Sequence, residues 1–224
     1  MSISRDIVKV ILTGDEGSGK SSLLLRYKED LFVASRLSGM PVTFSNVDVE
    51  IECPRREGAR RRFPMQVWDV SGEKRFESVA KSFFDGVQAV LLVFDVTKES
   101  SISNIGKWVN FIQSRCGADS KPALVLVGSK SDLVFIEDSD LFRRARAIAG
   151  QYGVSCMSCS AKSGIGIEAV FGTLARDVAT KLDRMTSALP MSERKEMTLD
   201  PPATHGKGCC SRHILATACA CILS

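Results

Sequence analysis

The sequence predicts an α/β fold: a mostly parallel six-stranded sheet with one antiparallel edge strand and helices on both faces. Three observations carry that expectation. Short runs rich in β-branched residues alternate with longer helix-forming stretches along the body of the chain. Gln88 to Asp95, Q-A-V-L-L-V-F-D, is apolar almost without a break, as a strand covered on both faces requires. Val47 to Cys53 instead alternates, with Val47, Val49, Ile51 and Cys53 against Asp48, Glu50 and Glu52, which marks a half-buried strand.

Taken in order, Met1 to Asp6 is a leader and Ile7 to Leu12 is the first strand. Gly14 to Ser21 follows as G-D-E-G-S-G-K-S, and Ser21 to Glu29 sits in the first helix. Strand, glycine loop and helix form the context of a phosphate-binding loop. Gly14, Gly17 and Gly19 let consecutive N–H groups, those of Asp15, Glu16 and Ser18 among them, curl around two phosphates, which side chains would block. The loop aims a helix N-terminus, with Ser21 and Ser22 in its first turn, at the anion. Lys20 can reach the outer phosphates, and Ser21 can place its hydroxyl on Mg²⁺.

Asp30 to Asn46 lacks periodicity, is broken by Gly39 and Pro41, and reads as a long loop placed to close over the nucleotide. In it Thr43 is either a surface threonine or a residue that gives its hydroxyl to Mg²⁺ and its N–H to a terminal phosphate. Phe32 is a candidate to lie against the base. Arg55 to Arg62, R-R-E-G-A-R-R-R, reads as a hairpin tip, either simply solvated or touching acidic lipid or a partner. Phe63 to Val70 returns antiparallel to the preceding strand, with Pro64 tolerable at its start. Asp69 ends it and can hold Mg²⁺ through a water. Gly72 can offer its N–H to a terminal phosphate and pivot when that phosphate leaves. Glu73 follows directly. Lys74 to Asp85, with Phe76, Phe83 and Phe84, is either an exposed apolar surface for a partner or a short helix with core aromatics.

Ser100 to Arg115 is the next helix, with Ile105, Trp108, Val109 and Ile112 on one face. Ala123 to Val127 is a buried strand that delivers Gly128-Ser129-Lys130-Ser131-Asp132. Asp132 can accept both N–H donors of a guanine edge, N1 and the exocyclic amine, a pair that adenine does not offer. Lys130 can pack its stem on the ring plane or bridge to the phosphate loop. Asp138 to Tyr152 is helical, and Val154 to Met157 is the last strand. It delivers Ser160-Ala161-Lys162, where the N–H of Ala161 can meet the guanine carbonyl. Gly164 to Leu182 is an amphipathic helix with Ile167, Val170, Phe171, Leu174 and Val178 inward. Leu189 to Lys207 loses periodicity, gains proline and reads as a flexible tail.

Composition narrows the class further. The 224 residues suit one domain with a tail, and a net charge of +4 is too small to argue for nucleic acid. Of the eight cysteines, Cys53, Cys116, Cys156 and Cys159 are scattered through the body, while Cys209, Cys210, Cys219 and Cys221 crowd the end. Arg5, Asp6 and Lys9 interrupt any apolar run at the start, so no secretory signal is read. The expectation is a reducing, intracellular setting with free thiols. No stretch approaches the length of a spanning helix.

The phosphate loop at 14–21, W-D-V-S-G-E at 68–73, G-S-K-S-D at 128–132 and S-A-K at 160–162 occur in the order found in small GTPases of the Ras superfamily. Within it the chain most resembles the Rab family, through Trp68, Arg75-Phe76-Glu77-Ser78, Phe83-Phe84-Asp85-Gly86 and L-L-V-F-D-V-T at 91–97. The resemblance implies a P-loop NTPase fold, with a GTPase domain over 6–184 and a flexible tail over 185–224 that carries a lipidation signal. It implies bound GTP or GDP with Mg²⁺ as cofactor, held by Ser21, Thr43 and Asp69. Lys20, Gly72 and Glu73 take the catalytic places, and Phe32, Ser129, Lys130, Asp132, Ser160, Ala161 and Lys162 take the guanine side. An exchange factor, an activating protein and effectors would engage 39–49 and 70–86. The implied function is a guanine-nucleotide switch in membrane traffic or signalling.

The departures bear on activity. Glu73 stands where the family usually has the glutamine that orients the attacking water, and a carboxylate only accepts hydrogen bonds. Glu16 stands in the loop where Ras-like members have glycine, and its bulk can hinder an arginine finger. Ser71 replaces an alanine. Ser129 replaces an asparagine that braces the phosphate loop and touches the base, and the shorter serine predicts weaker nucleotide binding. T-F-S-N-V-D-V at 43–49 departs from the usual effector strand, and the loop before it is longer. Hydrolysis is therefore expected to be slow, and the alternative is a non-hydrolysing module that stays GTP-loaded. Cys221-Ile222-Leu223-Ser224 fits a prenylation signal whose terminal serine favours farnesyl. One prenyl group holds a membrane marginally, so Cys219, Cys210 and Cys209 are acylation candidates. The implied partners are then a prenyltransferase and the cytoplasmic face of a membrane. The other reading is that His213 to Leu223 docks as a short apolar helix.

Overall fold

Six β-branched or alternating runs form one sheet. They are β1 (Val8–Thr13), β2 (Val42–Glu52), β3 (Arg60–Val70), β4 (Ala89–Asp95), β5 (Ala123–Ser129) and β6 (Ser155–Ser158), in the order β2-β3-β1-β4-β5-β6. The computed structural model describes residues 7–34, 40–52, 60–73, 82–116 and 121–188. The pairs β3–β1, β1–β4, β4–β5 and β5–β6 are parallel, and β2 runs antiparallel at the edge against β3. The expected architecture is borne out. β4 is buried at every position, which is why its sequence shows no polar alternation. Pro64 lies opposite Asp48, one residue before β3 begins to pair with β1 at Met65, so its missing N–H costs the inner ladder nothing.

The helices are α1 (Lys20–Glu29), α2 (Glu99–Ser103), α3 (Ile105–Arg115), α4 (Asp140–Tyr152) and α5 (Ile167–Ala188). Leu23 and Leu24 of α1 and Val170, Phe171 and Leu174 of α5 pack on one sheet face with Val10, Leu12, Leu91 and Val125. Ile102, Ile105, Val109, Phe142 and Ala145 pack on the other with Ile11, Val90, Leu92 and Leu126. Successive residues of a strand thus feed opposite cores, as the two-residue period requires.

Several boundaries differ from the sequence reading. The loop read over Asp30 to Asn46 stops earlier, because β2 begins at Val42, and Thr43 lies in that strand opposite Asp69. Val42 to Asn46 has no buried apolar alternation to announce a strand. Its pairing comes from β3. Arg60 and Arg62 belong to β3 rather than to a hairpin tip, and they pair with Glu50 at 3.6 Å and Asp48 at 3.7 Å. The expected helix 100–115 is two helices broken at Asn104. The last helix starts at Ile167 because Gly164 and Gly166 hold φ of +81° and +77°, and it runs through the expected domain boundary at 184 to Ala188. Gly39, Cys53, Arg55 and the rest of the tip to residue 59, Arg75 to Ser78 with Phe76, and the tail with Cys209, Cys210, Cys219 and Cys221 lie outside the described residues. No helix among the described residues is long and apolar enough to cross a membrane.

Candidate functional site

The sheet order reverses at β1, which has β3 on one side and β4 on the other. A parallel sheet leaves a crevice outside its carboxyl ends at such a point. Here it is a cleft of about 1020 Å³, lined by Gly17, Lys20 and Ser21 at one end and by Asp132, Ala161 and Lys162 at the other. The loop after β1 supplies the first end. Gly14 has φ +136°, and a Cβ on it would lie 2.0 Å from the carbonyl oxygen of Val93. Gly19, with φ +91°, caps α1 in a conformation that other residues rarely adopt.

Lys20 is 6% exposed, and its Nζ donates to the carbonyls of Gly14 at 2.9 Å and Asp15 at 2.7 Å. Burial lowers its pKa from 10.5 to about 8, against the opposing pull of Asp69, Asp15 and Glu16. A buried ammonium whose only partners among the described residues are two loop carbonyls has a place for an anion. Ser21 Oγ donates to Asp69 Oδ2, and Thr43 lies directly across from Asp69 in the ladder. These three donors are all oxygen, the set that Mg²⁺ takes, normally completed by water and phosphate oxygens. No group of three or more His, Cys, Asp or Glu residues among the described residues could hold a metal by itself.

The second half of the phosphate end is Ser71-Gly72-Glu73. Ser71 N–H donates to the carbonyl of Pro41 at 2.9 Å, extending the β2–β3 ladder beyond its last pair. A Cβ on Gly72 would lie 2.3 Å from Gly14 O and 2.5 Å from Glu16 N, so this segment rests on the phosphate loop and tolerates glycine alone. The N–H of Glu73 donates to Ser71 Oγ at 3.3 Å. Glu16, Gly72 and Glu73 all line the cleft.

Across the cleft, Ser129 reaches the glycine loop despite its length. It is buried, and its Oγ lies within hydrogen-bond reach of the Ser18 carbonyl and 3.0 Å from the Phe94 carbonyl. The serine therefore braces the phosphate loop through Ser18. Lys130 does not bridge to that loop. Its Nζ pairs with Asp95 Oδ2 at 2.7 Å. Asp95 is buried at the end of β4 and also accepts from the N–H and hydroxyl of Thr97. Burial pushes its pKa up, but the bonds from Lys130 and Thr97 outweigh that and hold the carboxyl below its ordinary range. Asp132 Oδ1 accepts from the fully buried Ser160 hydroxyl at 2.6 Å. Phe32 lines the same cleft.

Some residues around the site carried no sequence signal. Asp15 accepts from Asn104 Nδ2 at 3.1 Å and from Trp108 Nε1 at 2.8 Å. Asn104 at the break between α2 and α3 thus holds the phosphate loop, and Trp108 is a tether rather than a pure core residue. Arg26 ties α1 to the 160–162 loop. No local pattern reveals either contact, because the partners are far apart in the chain. Beside the cleft, Phe44, Trp68 and Phe83 form a row with ring centroids 5.3 and 5.2 Å apart, and Phe44 is 58% exposed. Phe84 is buried and Phe83 is half-buried against the same core, so the core reading fits these two of the 74–85 aromatics, while Phe76 lies outside the described residues. Cys116, Cys156 and Cys159 are free thiols, and burial pushes Cys159 up to about 12.

Residues 9–180 match the Ras family. This chain belongs to that family. Among similar proteins, Ras-related protein RABE1d of Arabidopsis thaliana is 31% identical over 211 residues, 93% of this chain and 94% of that one. Ras-related protein Rab-8A of Bos taurus is 32% identical over 180 residues, 80% of this chain and 81% of that one. GTP-binding protein yptV2 of Volvox carteri is 27% identical over 213 residues, 91% of this chain and 94% of that one. The chain is a Rab-like small GTPase of the Ras family, whose members bind GTP and GDP.

Proposed function

We propose that this Ras-family protein is a guanine-nucleotide switch that hydrolyses GTP slowly and recruits effectors in the GTP state. One observation carries the reading: a single cleft has the buried Lys20 and the glycine loop at one end and Asp132, Ala161 and Lys162 at the other. That spacing suits a nucleotide whose phosphates meet Lys20, Ser21, Ser22 and the loop N–H groups, and whose base meets Asp132 and Ala161. Ser21, Thr43 and Asp69 would hold Mg²⁺, which when bound neutralises charge between the outer phosphates. Phe32 and the stem of Lys130 would cover the ring faces. Equilibrium competition tests the reading. GTP and GDP displace labelled GDP in the presence of Mg²⁺, whereas ATP does so at far higher concentration. Equal competition by ATP would reject it.

A second reading, a GTP-loaded module without turnover, is favoured by Glu16 and Glu73 lining the phosphate end together. Single-turnover phosphate release separates the two. The aromatic row Phe44–Trp68–Phe83, with Phe44 exposed beside the segment that would sense the terminal phosphate, suits an effector.

Lys20 predicts a pH dependence. Its folded pKa of about 8 lies below the 10.5 of a free lysine. From about pH 8 to 10.5 the unfolded chain holds a proton that the folded one has released, so this group's contribution to stability rises across that window. Phosphate binding needs the charged form. Affinity for GDP therefore falls above pH 8, by up to about tenfold per pH unit, with uptake of up to one proton. Titration calorimetry at about pH 8, where guanine N1 still holds its proton, in buffers of different ionisation enthalpy reads the uptake directly, and Lys20→Arg abolishes it.

The tail completes the proposal. Cys221 would carry a prenyl group, with acylation of Cys219, Cys210 or Cys209 as the second anchor, placing the protein on the cytoplasmic face of a membrane. Cys221→Ser should leave the protein soluble in fractionated cells. Mass spectrometry of the C-terminal peptide checks the modification, and an unmodified peptide ending in Ser224 would count against it.

A further inference from the structure

Arg26 stands six residues beyond Lys20 on α1, well away from the phosphates. Its side chain is 17% exposed, and all three guanidinium nitrogens donate hydrogen bonds. Nε donates to the Ala161 carbonyl at 2.6 Å and Nη2 to the Lys162 carbonyl at 2.9 Å. Nη1 donates to the carbonyl and carboxylate of Asp30, at 2.8 and 2.9 Å. Asp30 closes α1 with φ +52°, and its own N–H returns to the Arg26 carbonyl at 3.0 Å. The neighbouring Tyr27 stacks on Phe171 of α5 at 3.9 Å, so the helix that carries Arg26 is itself fixed to the core.

We propose that Arg26 is the positioning residue of the base-binding loop, and that it sets how long guanine nucleotide stays bound. The inference rests on the reading that Ala161 meets the guanine carbonyl. The Ala161 N–H is useful only while the loop holds it at the cleft wall. Arg26 fixes that loop by two successive carbonyls through two different nitrogens of one rigid plane, a geometry that a lysine ammonium does not reproduce. The same guanidinium grips Asp30, two residues before Phe32 of the cleft. The 160–162 loop and the end of α1, where the 30–34 segment begins, thus meet at one side chain, the Asp30 carboxylate itself being 92% exposed. Swinging the 30–34 segment away strains the clamp on Asp30 and so loosens the base loop. Nucleotide release is coupled to that movement without any contact between Arg26 and the nucleotide.

The test uses the full chain loaded with nucleotide, and dissociation measured with a fluorescent label on the ribose. Losing hydrogen bonds from a charged donor weakens what they support by on the order of tenfold or more. Arg26→Gln should therefore speed GDP dissociation about tenfold or more. A 2-aminopurine riboside diphosphate lacks the carbonyl that Ala161 would meet. Its dissociation, already fast, should change less than about twofold, whereas a general loosening of the fold would speed both. Arg26→Lys keeps the charge but loses the planar fork and the Nε contact, and should fall between. It also serves if the glutamine variant fails to fold. Asp30→Ala removes one grip and leaves the loop contacts, so its effect should be smaller than that of Arg26→Gln. GDP dissociation from Arg26→Gln within about twofold of wild type, or equal acceleration of both nucleotides, would overturn the proposal. A wild-type protein that binds no GDP would instead overturn the guanine reading on which it rests.

Discussion

Asp132→Asn lowers the affinity for GDP and GTP by on the order of a thousandfold and turns the preference toward xanthine. In the proposed site the Asp132 carboxylate would accept two hydrogen bonds from the guanine edge, and each bond to a charged group is worth about 1.5–3 kcal/mol. The surrounding hydrogen bonds set what the substitution does. Ser160 Oγ accepts the Ser163 N–H at 3.1 Å, so its own proton goes to Asp132 Oδ1 at 2.6 Å. In the asparagine variant that proton still needs an acceptor, so the amide oxygen stays on Ser160 and the amide NH₂ turns to the ring edge. A donor then faces two guanine donors. Xanthine presents a carbonyl where guanine has its amine, and the mismatch is relieved. Displacement of labelled GDP by xanthosine and guanosine diphosphates measures the switch. An unchanged preference would mean that Asp132 does not touch the base.

Glu73→Gln raises single-turnover GTP hydrolysis by about a hundredfold, and Glu16→Gly in the same chain raises it further. Phosphoryl transfer is positioning and electrostatics almost throughout. A glutamine accepts from the attacking water and donates toward the phosphoryl oxygens, while an ionised Glu73 only accepts and sets a negative charge against a negative group. Losing one such donor costs about 3 kcal/mol, hence the hundredfold. The backbone around it is restrained: Gly72 rests on the phosphate loop and the Glu73 N–H is held by Ser71 Oγ. Glu16 lines the same end of the cleft and lies close enough to pull on the Lys20 proton. Lys20 and the loop remain, so the wild-type rate is low rather than zero. Phosphate release from GTP-loaded protein measures it. A wild-type rate equal to that of Glu73→Gln would show the carboxylate to be a working part of the site.

Much of this was legible before any coordinates. The phosphate loop was readable because its residues are contiguous, and backbone conformation over eight residues is a local matter. The six strands were readable because a sheet with covered faces imposes a period of two, or none. Legibility failed where the deciding neighbour was distant. The start of β2 has no apolar pattern, and β3 defines it by pairing Val42 to Asn46 with residues 66–70. The break at Asn104 follows from neither glycine nor proline, and coincides with a side chain turned to Asp15.

By itself the sequence determined the fold class, the glycine loop and the identity of the groups that could face phosphate and base. Those depend on local conformation and on side-chain chemistry, which are properties of short stretches. Tertiary structure alone decided where the charges went. Lys130 answers Asp95 and not the phosphate loop, Ser129 reaches Ser18 despite its length, and Arg26 fastens the base loop to α1. Each of these depends on distances between chain segments that are adjacent only because the strands lie in the order β2-β3-β1-β4-β5-β6. A hydrogen bond is made or lost within a fraction of an ångström, and no sequence spacing resolves that.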